Sequence, residues 1–304
     1  MTTALLFSGQ GAQEPGMGKT LHEAQPLVKA VYDEASDILG MDLAKVSFEG
    51  PEAELTQTAV CQPALFVHGF SVFSILRENK LLGDFHAALG LSLGEVTALT
   101  VAGVFDFATG LRVVAERGKL MQDACEATRG GMASVLGADR EAVGELCREF
   151  DIDMANLNCP GQIVISGETD KVKAAVAAAK DRGFKRVVPL NVAGAYHSRL
   201  MEPARAAFAE YLETVEFAEP RVTVFSNTTG QPVRTPGEIR EALIRQVVSP
   251  VLWEDCLRNA AALPVDRFIE CGPRGILAGL ARRTDPSWKV IPVSGQEDLA
   301  KLNG

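Results

Sequence analysis

The sequence predicts an α/β fold in two parts: a largely parallel sheet covered by helices on both faces, and a smaller unit inserted into it. Three observations carry this. Short apolar runs alternate with helical periodicity over most of the 304 residues, the pattern of strands joined by crossover helices. A run at 85–89 passes through a glycine-flanked turn directly into a helix. Between Gly131 and Leu190 the order changes to strand, helix, strand, strand, helix, strand.

Taken in order, 4–7 reads as a buried strand that breaks at Gly9-Gln-Gly-Ala-Gln13, where two glycines admit unusual backbone angles. Stretches 21–39 and 63–76 carry helical periodicity, 85–89 is a short strand entering Gly90-Leu-Ser-Leu-Gly94, and 95–104 is helical, as is 107–124. Then 132–136 (strand), 139–150 (helix), 153–157 and 162–166 (strands), 169–182 (helix ended by Gly183) and 186–190 (strand) give the split, ferredoxin-like βαββαβ order. The larger unit resumes with a helix at 198–215, a strand at 222–226, helices at 236–247 and 253–261, a strand at 267–269, a helix at 275–283 and a strand at 290–292. The expected division is 1–127 with 193–304 for a discontinuous large domain, and 128–192 for the small subdomain.

Charge narrows the function classes. Lys and Arg total 30 against 39 Asp and Glu, a formal charge of -9, and wrapping a polyanion needs a surplus of the opposite sign. Nucleic acid is therefore not an expected partner. Residues 1–8 lack the basic start and long apolar run of a signal peptide, and no stretch reaches the ~18 uncharged apolar residues of a membrane span. A cytoplasmic protein with no membrane contact is expected. Six cysteines (Cys61, Cys125, Cys147, Cys159, Cys256 and Cys271) show no C-x-x-C and no His at ligand spacing, so they read as small buried residues rather than disulfides or zinc ligands. No metal is expected.

Gly90-Leu91-Ser92-Leu93-Gly94 fits the G-x-S-x-G nucleophile elbow, whose glycines allow the sharp turn that lifts a serine hydroxyl out of the sheet. The blander reading of Ser92 is a helix cap. A serine nucleophile needs a base, and only four histidines are available. His22 and His68 fall on helices, and His86 lies too deep in the strand leading to Ser92. His197, just past the inserted unit, remains, although a lone histidine is commonly structural. On the 107–124 helix Arg117 has Val113, Val114, Leu120 and Met121 as its near neighbours. A guanidinium so placed snorkels, pairs with a buried carboxylate or awaits an anionic ligand. Arg112, four residues before Glu116, reads as an exposed pair.

Together these residues resemble the malonyl-CoA:acyl carrier protein transacylase family over nearly the whole chain. The matching strings are Phe7-Ser-Gly-Gln-Gly-Ala-Gln13, Thr58-x-x-x-Gln-Pro-Ala-Leu65, Gly90-Leu-Ser-Leu-Gly-Glu95, Arg117-Gly-Lys-Leu-Met121, Gly131-Met-Ala-Ser-Val-Leu-Gly137, Asn156-x-Asn-Cys-Pro-Gly-Gln162, Tyr196-His-Ser-x-Leu-Met201, Gln246-x-x-Ser-Pro-Val251 and Glu270-Cys-Gly-Pro273. The resemblance implies an α/β-hydrolase-like parallel sheet domain with an inserted ferredoxin-like subdomain. It also implies Ser92 as nucleophile, His197 as base, the backbone N–H groups of Gln10 and Leu93 as oxyanion hole, the Gln246 carbonyl in place of a triad acid, Arg117 as malonate clamp and Gln62 as a site-lining residue. Leu91 replaces the family's usual His, Ser8 a common Pro and Ala12 a common Ser.

The activity so implied moves malonyl from malonyl-CoA to the phosphopantetheine thiol of an acyl carrier protein through malonyl-Ser92, for fatty acid synthesis. CoA and phosphopantetheine are then substrates, and no cofactor is expected. Tyr196 stands where related enzymes carry a bulky aromatic for malonyl and a small residue for methylmalonyl. Lys185, Arg186, Arg274, Arg282 and Arg283 are candidates for meeting an acidic carrier, and a monomer is expected. The alternatives are a serine thioesterase using the same pair, an acyltransferase of a polyketide pathway, and an inactive binding module.

Overall fold

The computed structural model describes residues 1–302, with side chains for all but residues 180 and 181; the last two residues of the 193–304 span lie outside the described residues. Strands β1 (Thr2–Phe7), β2 (Asp84–Gly90), β3 (Gly130–Leu136), β4 (Asp153–Cys159), β5 (Gln162–Glu168), β6 (Arg186–Pro189), β7 (Thr223–Phe225), β8 (Pro232–Val233), β9 (Arg267–Cys271) and β10 (Val290–Val293) form two sheets. The larger runs β10-β9-β1-β2-β7-β8. Every pairing in it is parallel except the β7–β8 edge.

Alternation along these strands sends side chains to opposite faces. Leu5, Phe7, Ala88 and Ile269 pack with the helix Thr58–Glu78 and its neighbours, while Ala4, Leu6, Ala87, Leu89 and Phe268 pack with Trp253, Leu257, Leu277 and Leu280. Burial on both sides explains why the strands read as unbroken apolar runs.

The second sheet, β4-β5-β3-β6, is antiparallel throughout. Ala133, Val135, Ile163 and Ile165 face the helices Arg140–Phe150 and Thr169–Asp181 through Val143, Leu146, Val172 and Ala175. The alternate residues Met132, Ser134, Asn156, Asn158 and Val164 turn to the other side and wall a cavity shared with the large sheet. The two sheets are tied by main-chain bonds, Leu157 N–H to Val251 O at 2.9 Å and Val251 N–H to Ala155 O at 2.8 Å.

Several elements depart from the sequence expectation. The 21–39 helix is two helices, Lys19–Ala24 and Pro26–Leu39, because Pro26 forces Gln25 out of the helical region (φ −125, ψ 107). The 63–76 helix begins at Thr58 and carries Pro63 inside it. The 198–215 helix opens as a 3-10 turn, Arg199–Met201, before Glu202–Leu212. Helices Leu43–Glu49 and Glu52–Leu55 and the terminal 3-10 helix Gln296–Leu302 have too little apolar periodicity to be read in advance. The membrane test also needs correcting: Thr58–Glu78 is long and apolar enough to cross a bilayer by composition, and 78% of its apolar window is buried inside the fold.

Candidate active site

Ser92 sits between the end of β2 and the helix Leu93–Val101, with φ at 55. A Cβ on Gly90 would lie 1.8 Å from the Gly94 carbonyl, and one on Gly94 would lie 2.3 Å from Phe7 O. The turn therefore folds onto itself and against β1 as only glycines allow. The Ser92 side chain makes no cap bond to its helix, which removes the capping reading. Its Oγ lies 2.8 Å from His197 Nε2 and accepts from Arg117 Nη2 at 3.0 Å.

His197 is 4% exposed and also holds a positive φ, 55. Its Nδ1 lies 2.8 Å from the main-chain oxygen of Gln246. That oxygen only accepts, so Nδ1 carries the proton, leaving Nε2 to accept from the Ser92 hydroxyl. Burial, with the Arg117 charge adding to it, lowers the ring's pKa from 6.5 to about 4. The ring is neutral at physiological pH and free to take a proton. The other histidines are elsewhere: His22 packs on Tyr32 and Phe48, His68 is fully buried, and His86 is exposed on β2.

Arg117 is 0% exposed. Nη1 donates to Gln62 Oε1 at 2.8 Å, and Nη2 donates to Gln246 Oε1 at 2.7 Å as well as to Ser92. Nε has no partner, and no carboxylate lies within 4.0 Å among the described residues. Desolvation lowers the guanidinium's pKa to about 10, with the Glu95 charge opposing it. Of the readings open from the sequence, full burial excludes snorkelling, and the lack of a carboxylate partner among the described residues excludes a structural ion pair. Arg112 is exposed, and no ion pair joins it to Glu116 among the described residues; solvent screening leaves so little gain that the expected pair does not form.

Gln246 ends the helix Pro236–Gln246, where carbonyls are free of intrahelical bonds. Its main-chain oxygen takes His197, its Oε1 takes Arg117, and its Nε2 donates to Ser92 O at 3.0 Å and to Glu95 Oε2 at 2.6 Å. Glu95 is buried beneath the elbow, where desolvation raises its carboxyl to about 7 against the hydrogen bonds and Arg117 that favour ionisation. Asn227 accepts the Ser92 N–H at 2.7 Å and donates to Gly90 O at 2.8 Å, stapling the turn. Glu95 and Asn227 were not singled out in the sequence. Asn227 follows the carboxyl end of β7, beside β2, and that end of a parallel sheet is where site residues gather.

The loop after β1 presses on the elbow: a Cβ on Gly9 would lie 2.5 Å from Leu91 O. Among the described residues no protein acceptor takes the backbone N–H of Gln10 or of Leu93. The Gln10 side chain donates to the Tyr196 hydroxyl at 3.3 Å, and that hydroxyl lies 2.5 Å from Thr58 Oγ1. Ser92, His197, Gln10, Gln62 and Tyr196 line one cavity of about 510 Å³ with the polar wall of the small sheet. Arg283 lines the same cavity, Arg282 is exposed beside it, and Arg274 lies 4.0 Å from Glu14. Lys185 and Arg186 are exposed at the start of β6. All six cysteines are free and buried, as expected.

Residues 4–297 match the acyl transferase domain family. Over 301 residues the chain is 40% identical to the malonyl CoA-acyl carrier protein transacylase of Bacillus subtilis, covering 97% of this chain and 94% of that one. The fold superposes with a TM-score of 0.95 on a malonyl-transacylase solved with its type II polyketide acyl-carrier protein, at 36% identity over 99% of both chains. It superposes equally well, TM-score 0.95 and 36% identity over 98% and 96%, on the malonyl-CoA:acyl carrier protein transacylase of Xanthomonas oryzae.

Proposed function

The chain belongs to the acyl transferase domain family, and from that premise we propose that it carries malonyl from malonyl-CoA to the phosphopantetheine thiol of an acyl carrier protein through Ser92. His197 Nε2 takes the Ser92 proton as Oγ attacks the thioester carbonyl. The backbone N–H groups of Gln10 and Leu93 receive the oxyanion, and donors of this kind contribute ~10²–10³ in rate each. As the tetrahedral carbon collapses, the thiolate of CoA leaves and takes the proton back from His197. The malonyl-serine then keeps its free carboxylate on Arg117 until the carrier thiol attacks, with His197 again as base.

One observation carries this reading. A fully buried guanidinium with only neutral partners is aimed at the oxygen that a neutral histidine also holds. Such a cation is costly unless an anion joins it, and a short dicarboxylic monothioester brings that anion with its reacting carbonyl. An acetyl group leaves the cation unmatched, so dicarboxylic substrates win.

Intact-mass spectrometry after mixing with malonyl-CoA tests the proposal: a malonyl adduct mapping to Ser92, discharged only when carrier protein is added, is the expected result. Release of malonate at the same rate with or without carrier would make the chain a thioesterase, and no adduct at all would make it a binding module. The carrier proposed is that of fatty acid synthesis. The polyketide reading rests on the likeness to a transacylase solved with a polyketide carrier. The compartment proposed for this reaction is the cytoplasm.

A further inference from the structure

Glu95 lies in the first turn of the elbow helix, fully buried and, like Arg117 and Gln246, behind the residues that line the cavity. Its Oε2 accepts two protons, from the Asn227 main chain at 3.0 Å and from Gln246 Nε2 at 2.6 Å. A carboxamide has two chemically opposite ends. With Nε2 held by Glu95 and by Ser92 O, the Gln246 oxygen has to face Arg117, where it accepts from Nη2 at 2.7 Å. The reverse orientation would set an NH2 against the guanidinium, two donors with no acceptor between them, among fully buried side chains.

We propose that Glu95 is a positioning residue for acyl-group selection: its oxygen fixes the Gln246 carboxamide, which holds the Arg117 guanidinium where the malonyl carboxylate arrives. The inference deepens the transacylase reading and rests on it. Glu95 acts on the arginine through Gln246 and not on the proton path, because His197 is held by the Gln246 main-chain oxygen, which exists whatever the side chain does. Losing Glu95 therefore weakens handling of the carboxylate more than the chemistry at the thioester, which feels only its second contact, the Asn227 main chain behind the elbow.

Gln246 shares the support of Arg117 with Gln62, whose Oε1 takes Nη1 at 2.8 Å. One of the two supports for the cation survives when Glu95 is changed, so the effect is a loss of discrimination rather than of the site. A neutral oxygen at position 95 suffices, since both donors converge on the single atom Oε2.

The test compares single-turnover acylation of Ser92 by malonyl-CoA and by acetyl-CoA in the wild type, Glu95→Met and Glu95→Gln. In Glu95→Met the malonyl rate is expected to fall about 10- to 100-fold, for loss of ~1.5–3 kcal/mol of charge-assisted hydrogen bonding, with the acetyl rate within about threefold. Glu95→Gln keeps an acceptor oxygen and restores the malonyl preference to within about threefold. Equal falls with both thioesters, or an unchanged ratio in Glu95→Met, would overturn the proposal, as would a Glu95→Gln variant as unselective as Glu95→Met. If Glu95→Met does not fold, Glu95→Asp is used: it keeps the charge one methylene short of Gln246, and the same narrowing is expected. A folded Glu95→Asp with wild-type selectivity counts against the relay. Failure of the parent reading looks different, because then the wild type itself gains no malonyl adduct.

Discussion

Arg117 Nη2 lies 3.0 Å from Ser92 Oγ, so a fully buried cation rests directly on the hydroxyl of the elbow serine. On the proposed reading, a malonyl carboxylate exchanges with that hydroxyl for the guanidinium donors, and binding of the acid frees the serine for attack.

Arg117→Ala is accordingly expected to remove the preference for malonyl while leaving Ser92 acylable. The two charge-assisted bonds of a bidentate clamp, at ~1.5–3 kcal/mol each, set a loss of about 10²- to 10⁴-fold in kcat/KM for malonyl-CoA. Adduct formation from acetyl-CoA should fall far less. A variant still strongly selective for malonyl would move the clamp elsewhere.

The pH profile follows from His197. With its pKa lowered to about 4, the ring remains a free base above that value, so Ser92 acylation should be flat from about pH 5 to 8 and fall as the ring is protonated near 4. Glu95 titrates near 7, but a protonated carboxyl still offers a carbonyl oxygen to Gln246, so no limb is expected there. Stopped-flow acylation rates measured with brief exposure to each pH check both statements. A midpoint near 6.5 would show a solvated ring.

His68 gives a stability prediction. Both of its ring nitrogens are buried without partners, and burial lowers its pKa from 6.5 to about 4. Between those values the unfolded chain binds a proton that the folded chain refuses, so stability falls as pH drops from 6.5 toward 4. His68→Leu should stabilise the fold by about 2 kcal/mol more at pH 5 than at pH 8. Glu95, whose raised pKa works in the opposite direction over an overlapping range, contributes equally to both proteins. The difference between the two unfolding curves at each pH therefore isolates His68, and a gain independent of pH would refute this account.

Tyr196 lines the cavity with its hydroxyl tied to Thr58 and Gln10. Malonyl-CoA should be used in preference to methylmalonyl-CoA, and Tyr196→Ser should narrow the gap by about tenfold, as expected when a pocket gains room for one methyl. Paired kcat/KM values decide it. Methylmalonyl equal to malonyl in the wild type would show that the ring does not bound the pocket.

Arg282 and Arg283, at and beside the cavity, are candidates for meeting an acidic carrier. Reversing both charges should raise the carrier KM about tenfold with kcat for the loaded enzyme little changed. An unaltered KM would shift attention to Lys185 and Arg186.

Ser92, His197 and Arg117 were legible because each breaks a local expectation: glycines around a serine at a strand end, a histidine left over when the others fall on regular elements, and a charge among apolar neighbours. Local periodicity also carried every strand but the two-residue edge strand β8. Glu95 and Asn227 were not legible, since a carboxylate in a helix's first turn and an asparagine after a strand are ordinary there. Their roles come from contacts 132 and 135 positions apart in the chain. Pro63 misplaced a helix start for a related reason: its interior position is tolerated where tertiary packing outweighs local propensity.

The histidine's partner is the peptide oxygen of residue 246, an atom that all twenty amino acids supply. Its alignment is thus written in the route of the chain and not in any one codon, and mutational drift at that position can reach acyl choice without disturbing proton transfer. An enzyme family organised this way can change its cargo one substitution at a time.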